Sequence, residues 1–173
     1  VYNVPPVIIL NKVDMYRESA QENIDTFRSV YESAGYSVLE TSAVTGEGID
    51  SLRTLCKGGV SLFSGESGVG KSSLLKAMDP SRVGEISQAH LRGRHTTTFY
   101  EMYRLSFGAY VVDTPGLRGF GLVDVAPEEV ALYFPEMLHL AGECRFTPCT
   151  HTHEPGCAVK AAVDEGKICT ERY

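Results

Sequence analysis

The eight residues Gly65-Glu66-Ser67-Gly68-Val69-Gly70-Lys71-Ser72 constrain the fold of this chain more than any other stretch. Their pattern, G-x-x-x-x-G-K-[ST], is a phosphate-binding loop. It follows an apolar run, Val60 to Phe63, and opens an amphipathic segment, Lys71 to Met78. Glycines let successive backbone N–H groups turn inward toward phosphate oxygens, and the helix that follows adds its positive end. The class expected is therefore α/β, with a strand before the loop and a helix after it. Lys71 is placed to reach the β- and γ-phosphates, and Ser72 to offer its hydroxyl to Mg²⁺. Gly65, Glu66, Ser67, Gly68, Val69, Gly70 and Ser73 complete the cradle. A glycine-rich turn that merely precedes a helix is the alternative, and the full motif in its full context argues against it.

The base-reading signal lies upstream. Val7-Ile8-Ile9-Leu10 is a continuous apolar run that predicts a fully buried strand of a parallel sheet. Directly after it stands Asn11-Lys12-Val13-Asp14, that is N-K-x-D. The Asp14 carboxylate matches the N1–H and exocyclic amine of guanine, a donor pair adenine lacks, while Asn11 bonds the base edge and the Lys12 stem lies over the ring. Site groups left unpaired by the wrong base make that choice selective. Ser19 to Ala34 reads as a helix with a Ser19-x-x-Glu22 capping box, closed by Gly35. Ser37 to Thr41 predicts a second strand. The small loop after it, which includes Ser42 and Ala43, offers a backbone N–H near Ala43 to the guanine carbonyl oxygen. A short helix through Leu52 and Leu55 follows.

Downstream of the phosphate loop come the hydrolysis signals. Gly93-Arg94-His95-Thr96-Thr97-Thr98 supplies a threonine whose hydroxyl meets Mg²⁺ when triphosphate is bound; Thr97 is favoured, with Thr98 and Thr96 as alternatives. Phe99 to Leu105 and Ala109 to Val112 predict two strands around a turn. The second delivers Asp113-Thr114-Pro115-Gly116, D-x-x-G, in which Asp113 serves Mg²⁺ and the Gly116 N–H meets the γ-phosphate. Leu117 stands where Ras-like enzymes carry a water-orienting Gln. In such enzymes the phosphate loop comes first and the base-reading motifs last; here the order is reversed, so the domain is circularly permuted. Close-lying termini make that rearrangement tolerable.

The C-terminal part predicts two helices, one opening at Ala126-Pro127-Glu128-Glu129 and one covering Pro135 to Ala141. Cys144, Cys149, His151 and Cys157 then form a set suited to closed, tetrahedral Zn²⁺, with His153 the rival to His151. Such a site has no open position for catalysis and contributes to folding a segment too small for its own core. Crowding of three of the five cysteines beside histidines points to metal in a reducing cytosol, hence a cytoplasmic protein. With 173 residues, 43% hydrophobic and 22% charged, the chain has room for one domain and a small appendage. No apolar run reaches the roughly 20 residues of a membrane span. The formal charge of −6 argues against one broad nucleic-acid-binding face. The chain starts at Val1 without a signal peptide and reads as a fragment.

In this order N-K-x-D, Thr41-Ser42-Ala43, GESGVGKS, GRHTTT, DTPG and CRFTPCTHTHEPGC resemble the RsgA (YjeQ) family of circularly permuted ribosome-assembly GTPases. The resemblance implies a circularly permuted Ras-like P-loop GTPase domain, residues 1–122, followed by a small, mainly helical zinc-binding domain, residues 123–173. It implies GTP and GDP as ligands with Mg²⁺, one structural Zn²⁺, and hydrolysis stimulated by the small ribosomal subunit, whose rRNA is a partner. An OB-fold RNA-binding domain is expected ahead of residue 1 and further helix beyond Tyr173. A switch-loop histidine, here His95, takes the water-positioning role in place of Gln, the alternative being a solvent-facing loop residue. A monomer without membrane association is expected. Two other functions compete: an RNA or ribosomal-protein binding module with incidental hydrolysis, and a regulatory GTPase unconnected to ribosomes.

Overall fold

Strands and helices alternate from Val7 to Met78, as a phosphate loop between strand and helix requires. The structure, a computed structural model, describes residues 4–82, 101–114 and 125–173. β1 (Val7–Asn11) leads into α1 (Val13–Ser33), and β2 (Ser37–Thr41) into α2 (Ile49–Cys56). β3 (Val60–Phe63) precedes the phosphate loop and α3 (Lys71–Met78). A 3₁₀ turn, Pro80–Arg82, follows α3. β4 (Glu101–Arg104) and β5 (Tyr110–Asp113) form the hairpin expected around Ser106-Phe107-Gly108. Beyond it come a 3₁₀ helix (Pro127–Tyr133), α4 (Pro135–Ala141) and α5 (Ala158–Asp164).

The protein packs as two compact units, each discontinuous in sequence. One comprises Val1–Ile8, Ala20–Val38 and Gly121–Tyr173; the other comprises Ile9–Ser19 and Leu39–Phe120. In the second unit β5 lies between β3 and β4, parallel to β3 and antiparallel to β4. The register sets Phe63 beside Asp113, so the strand that feeds the phosphate loop and the strand that ends on Asp113 finish together. Ile49, Leu52 and Cys56 of α2 pack with Leu74, Leu75 and Met78 of α3 and with Leu105, Ala109 and Val111 of the hairpin. The i, i+3, i+4 spacing of these helical residues makes that single apolar face.

Two capping arrangements hold α3 at its far end. Arg53 donates from Nε to the Met78 carbonyl at 2.7 Å and from Nη2 to the Ala77 carbonyl at 3.1 Å, satisfying acceptors that a helix end leaves open. Asp79, 2% exposed, accepts from Ser81 Oγ at 2.5 Å and from the Ser106 N–H at 2.6 Å. Burial disfavours its charge, but those hydrogen bonds outweigh burial and leave its pKa lowered.

Several expectations are corrected. β1 is not fully buried: Val7 is exposed and the rest of the strand half-buried. β1 and β2 form a two-stranded sheet of their own among the described residues. α1 starts at Val13, which buries to 1% exposure directly after the N-K pair, and its second segment, beyond a kink at Ala20 (φ −147°, ψ 30°), covers the helix expected from Ser19. Ser19 donates to the Tyr16 carbonyl at 3.5 Å just ahead of that kink. The segment opening at Ala126 is 3₁₀ rather than α, its start held by the Glu129 carboxylate on the Ala126 N–H at 3.1 Å. α5 was not anticipated; it buries Val159 and Ala162 beside the cysteine cluster.

Candidate functional site

The phosphate loop and the N-K-x-D turn meet through side chains. Asn11 Nδ2 donates to the Val69 carbonyl at 2.9 Å, and Lys12 Nζ donates to the Gly68 carbonyl at 2.7 Å. Lys12 holds a left-handed backbone (φ 68°), uncommon for a residue with a side chain, and this turns its stem toward the loop. Gly70 is required by the same approach. A Cβ there would run into the Asn11 amide, and its φ of 98° suits only glycine. Asp14 is exposed in the first turn of α1. Ser42 is fully buried, and its Oγ accepts from the N–H groups of Val44 at 3.2 Å and Thr45 at 3.1 Å, closing the loop that carries Ala43. Ala43 is half-buried against the core of α2, α3 and the hairpin.

Within the phosphate loop, the Lys71 ammonium donates to the carbonyls of Gly65 at 2.7 Å and Glu66 at 3.0 Å. Its charge is thus held inside the curl, where anionic phosphate oxygens would be neutralised. Ser72 Oγ donates to Asp113 Oδ2 at 3.3 Å. A hydroxyl and a carboxylate so placed, at the N-terminus of α3 and the end of β5, are the hard oxygen donors that Mg²⁺ takes, so these residues fit that ion. Asp113 is fully buried, and its neighbour Thr114 donates to the Phe63 carbonyl at 2.8 Å, which clamps β5 to β3 at the site. Glu66, Ser67, Gly68 and Val69 are exposed along the loop and Ser73 is exposed on α3, while Gly65 is half-buried. Arg94, His95, Thr96, Thr97, Thr98, Gly116 and Leu117 lie outside the described residues.

The second cluster assembles Cys144, Cys149, His151 and Cys157, whose ligand atoms all lie within 4.8 Å of one another. His151 Nδ1 stands 3.3 Å from Cys157 Sγ and 3.6 Å from Cys144 Sγ, and the Cys144 and Cys157 sulfurs are 4.0 Å apart. Tetrahedral zinc with ordinary Zn–S and Zn–N lengths spaces its ligand atoms by about 3.3–3.8 Å; three thiols and one imidazole are a donor set such an ion takes, and these atoms stand at that spacing or somewhat wider. His151, not His153, belongs to the set, and its left-handed φ of 62° aims the ring inward. Burial pushes the Cys149 thiol up to about 11, with the Cys157 and Cys144 sulfurs adding to the rise. Burial opposes ionisation of Cys144 too, but backbone hydrogen bonds from Ala158 and Val159 outweigh it and lower that pKa. A dication beside Cys149 would offset the burial that opposes its ionisation. Tyr173 Oη donates to the His151 carbonyl at 2.5 Å, and Glu154 accepts from Thr150 N–H and Oγ1 at 2.9 and 2.6 Å, fixing the turn around the histidine.

Three contributors act through contacts that the motifs do not show. Thr41, fully buried, donates to Asn11 Oδ1 at 3.2 Å and so orients the amide that reaches the phosphate loop. Arg17 and Arg53 act through partners remote in sequence. The Thr41-Ser42-Ala43 motif does not show which residue Thr41 bonds, and an arginine on a polar helix carries no pattern of its own; only the pairing reveals these roles.

A phosphate loop tied to an N-K-x-D turn, with a Ser–Asp pair at its mouth and the base-reading motif placed first, defines the class of circularly permuted P-loop GTPase folds. Residues 1–123 match the RsgA GTPase family, and this chain belongs to it. Similar relatives include proteins named small ribosomal subunit biogenesis GTPase RsgA. The one from Bacteroides fragilis is 46% identical over 99% of this chain and 56% of its own length. The one from Flavobacterium psychrophilum is 44% identical over 99% and 54%. The crystal structure of YjeQ from Thermotoga maritima superimposes with a TM-score of 0.81 at 40% identity, covering 99% of this chain and 57% of that one. YloQ, described as a circularly permuted GTPase, gives 0.73 at 29% identity, over 97% and 53%. The chain thus spans little more than half the length of the relatives it matches. No described helix is long and apolar enough to cross a membrane.

Proposed function

We propose that this protein binds GTP and GDP with Mg²⁺, hydrolyses GTP, and acts in maturation of the small ribosomal subunit. The observation that carries the nucleotide reading is the junction of Asn11 and Lys12 with the carbonyls of Val69 and Gly68, which sets a base-reading turn against a phosphate cradle. In this reading Asp14, Asn11, Lys12, Ser42 and Ala43 face guanine, and residues 65–73 face the phosphates. The Lys71 ammonium pairs with β- and γ-phosphate charge, and Ser72, Asp113 and Thr97 hold the cation. Magnesium, when bound, offsets the charge shared between the two phosphates. His95 orients the attacking water in place of Gln, and Gly116 meets the γ-phosphate through its N–H. The four donors of the C-terminal cluster hold one structural zinc ion, with residues 1–122 as the GTPase domain and 123–173 as the zinc-binding domain. The names of the relatives support the ribosomal role; an rRNA-containing partner and a cytoplasmic, monomeric protein complete this reading.

The test is GTP turnover by the full-length protein with purified small ribosomal subunits. Strong stimulation is expected; binding of the subunit without stimulation would favour a docking module, and neither effect would sever the ribosomal link. His95→Ala should lose most of the stimulated single-turnover rate with nucleotide affinity intact. An unchanged rate would remove His95 from the chemistry.

A further inference from the structure

Arg17 lies one helical turn beyond Asp14 on α1, in the stretch that precedes the kink at Ala20. Residues three apart on a helix share a face, so whatever fixes Arg17 also fixes Asp14. The Arg17 guanidinium forks onto both oxygens of Glu47, from Nη1 to Oε2 at 3.0 Å and from Nη2 to Oε1 at 2.7 Å. Nη2 also reaches Glu40 Oε2 at 2.8 Å. Glu47 belongs to the loop that starts at Ser42, and Glu40 stands at the end of β2, just ahead of it.

That loop is closed at its base. The Ser42 N–H donates to the Glu47 carbonyl at 3.0 Å, and the Gly46 N–H donates to the Ser42 carbonyl at 2.9 Å. Gly48, with φ 70°, lets the chain lie so close to β2 that a Cβ would strike the Glu40 carbonyl. Movement of Glu47 is therefore movement of the whole loop, Ala43 included. The two arms that read a guanine base, the N-K-x-D turn and the Ser42-Ala43 loop, come from separate elements. Among the described side chains, Arg17 joins the helix behind the first arm to the loop of the second. A surface ion pair alone contributes little, but a planar fork shared between two carboxylates, one of them only 12% exposed, fixes direction as well as distance.

We propose that Arg17 is a positioning residue for guanine: it holds Asp14 and the Ala43 loop at a fixed separation, so that the base is clasped from both sides. The inference rests on the guanine reading above. Arg17 touches no nucleotide in this account; it acts through Glu47 and Glu40.

The test compares GDP, inosine diphosphate and ADP by titration calorimetry on the full-length protein, with Arg17→Ala, Arg17→Lys and Glu47→Gln. Inosine diphosphate lacks the exocyclic amine that Asp14 accepts from, so the ratio of GDP to inosine diphosphate affinity reports on the Asp14 arm. Arg17→Ala should weaken GDP roughly tenfold and inosine diphosphate less, narrowing that ratio. Arg17→Lys, a point charge without the fork, should fall between wild type and alanine, and Glu47→Gln should move the ratio in the same direction. A loss from general destabilisation would strike both nucleotides equally, so an unchanged ratio overturns the inference, as does unchanged GDP affinity. Should Arg17→Ala fail to fold, Glu47→Gln decides by the same ratio. Equal wild-type affinity for GDP and ADP overturns the guanine reading itself, and this inference with it.

Discussion

The phosphate loop sits on an apolar core: Leu74, Leu75 and Met78 of α3 pack against Ile49, Leu52 and Cys56 of α2 and against Leu105 and Val111 of the hairpin. The cysteine cluster is different, because two of its ligands, Cys149 and Cys157, are themselves members of the small core they share with Met137, Val159, Ala162 and Ile168. In the first region the site is added to a folded scaffold, and function is set by backbone turns and a few polar contacts. In the second the ligand set and the scaffold coincide. Small cores of this kind rarely stabilise a fold alone, and a structural zinc ion contributes apparent folding energy of about 10–16 kcal/mol. In the proposed reading the first region answers to nucleotide and the second to metal.

Metal removal should break the comparison most visibly. Chelation, or Cys157→Ser, should unfold the segment around α4 and α5, detected by proteolysis, while α3 and its loop keep their nucleotide affinity. Loss of nucleotide binding at the same chelator concentration would show that the two regions do not stand apart. Next in size is Lys71→Ala. Removing the ammonium held by Gly65 and Glu66 should weaken GDP roughly a hundredfold with little change in melting temperature, since no core residue is touched. A large fall in melting temperature would mean that this side chain holds the fold as well as the ligand.

The smallest effect concerns the scaffold alone. Asp79→Asn should cost about 1–3 kcal/mol in denaturant unfolding, because a charged acceptor of two short hydrogen bonds is weakened. The folded-state pKa of Asp79 is lowered below its ordinary value of 3.8. Its stabilisation is therefore present above about pH 4 and is lost as pH falls through the lowered value, so the wild type should lose more stability than Asp79→Asn on acidification. Equal acid sensitivity of the two proteins would contradict that role.

The motifs were legible because each combines residue type with fixed spacing. The loop Gly65–Ser72, the turn Asn11–Asp14, Asp113 after an apolar strand, and the donors Cys144, Cys149, His151 and Cys157 all carry their chemistry locally; the structure brings Asn11 to Val69, Ser72 to Asp113 and the four cysteine and histidine donors together. Their order alone revealed the permutation. What stayed hidden depends on partners far along the chain. Ser19 marks the helical segment beyond the kink at Ala20, but the segment ahead of it, which opens on buried Val13, carries no such mark. The apolar run at Val7 predicts full burial, yet a run of this kind cannot report how many neighbours a strand will have. Arg17 and Arg53 have no motif, and their roles, like the contact of Thr41 with Asn11, exist only through partners: Glu47 and the carbonyls ending α3.

Titration of GDP against ADP tests the central claim most directly, that the N-K-x-D turn docked on the phosphate loop makes a guanine-nucleotide site. Asp14 and the Ala43 loop predict a preference for GDP of at least roughly a hundredfold, since adenine leaves the Asp14 carboxylate without its two donors. Comparable affinities for GDP and ADP would contradict the account.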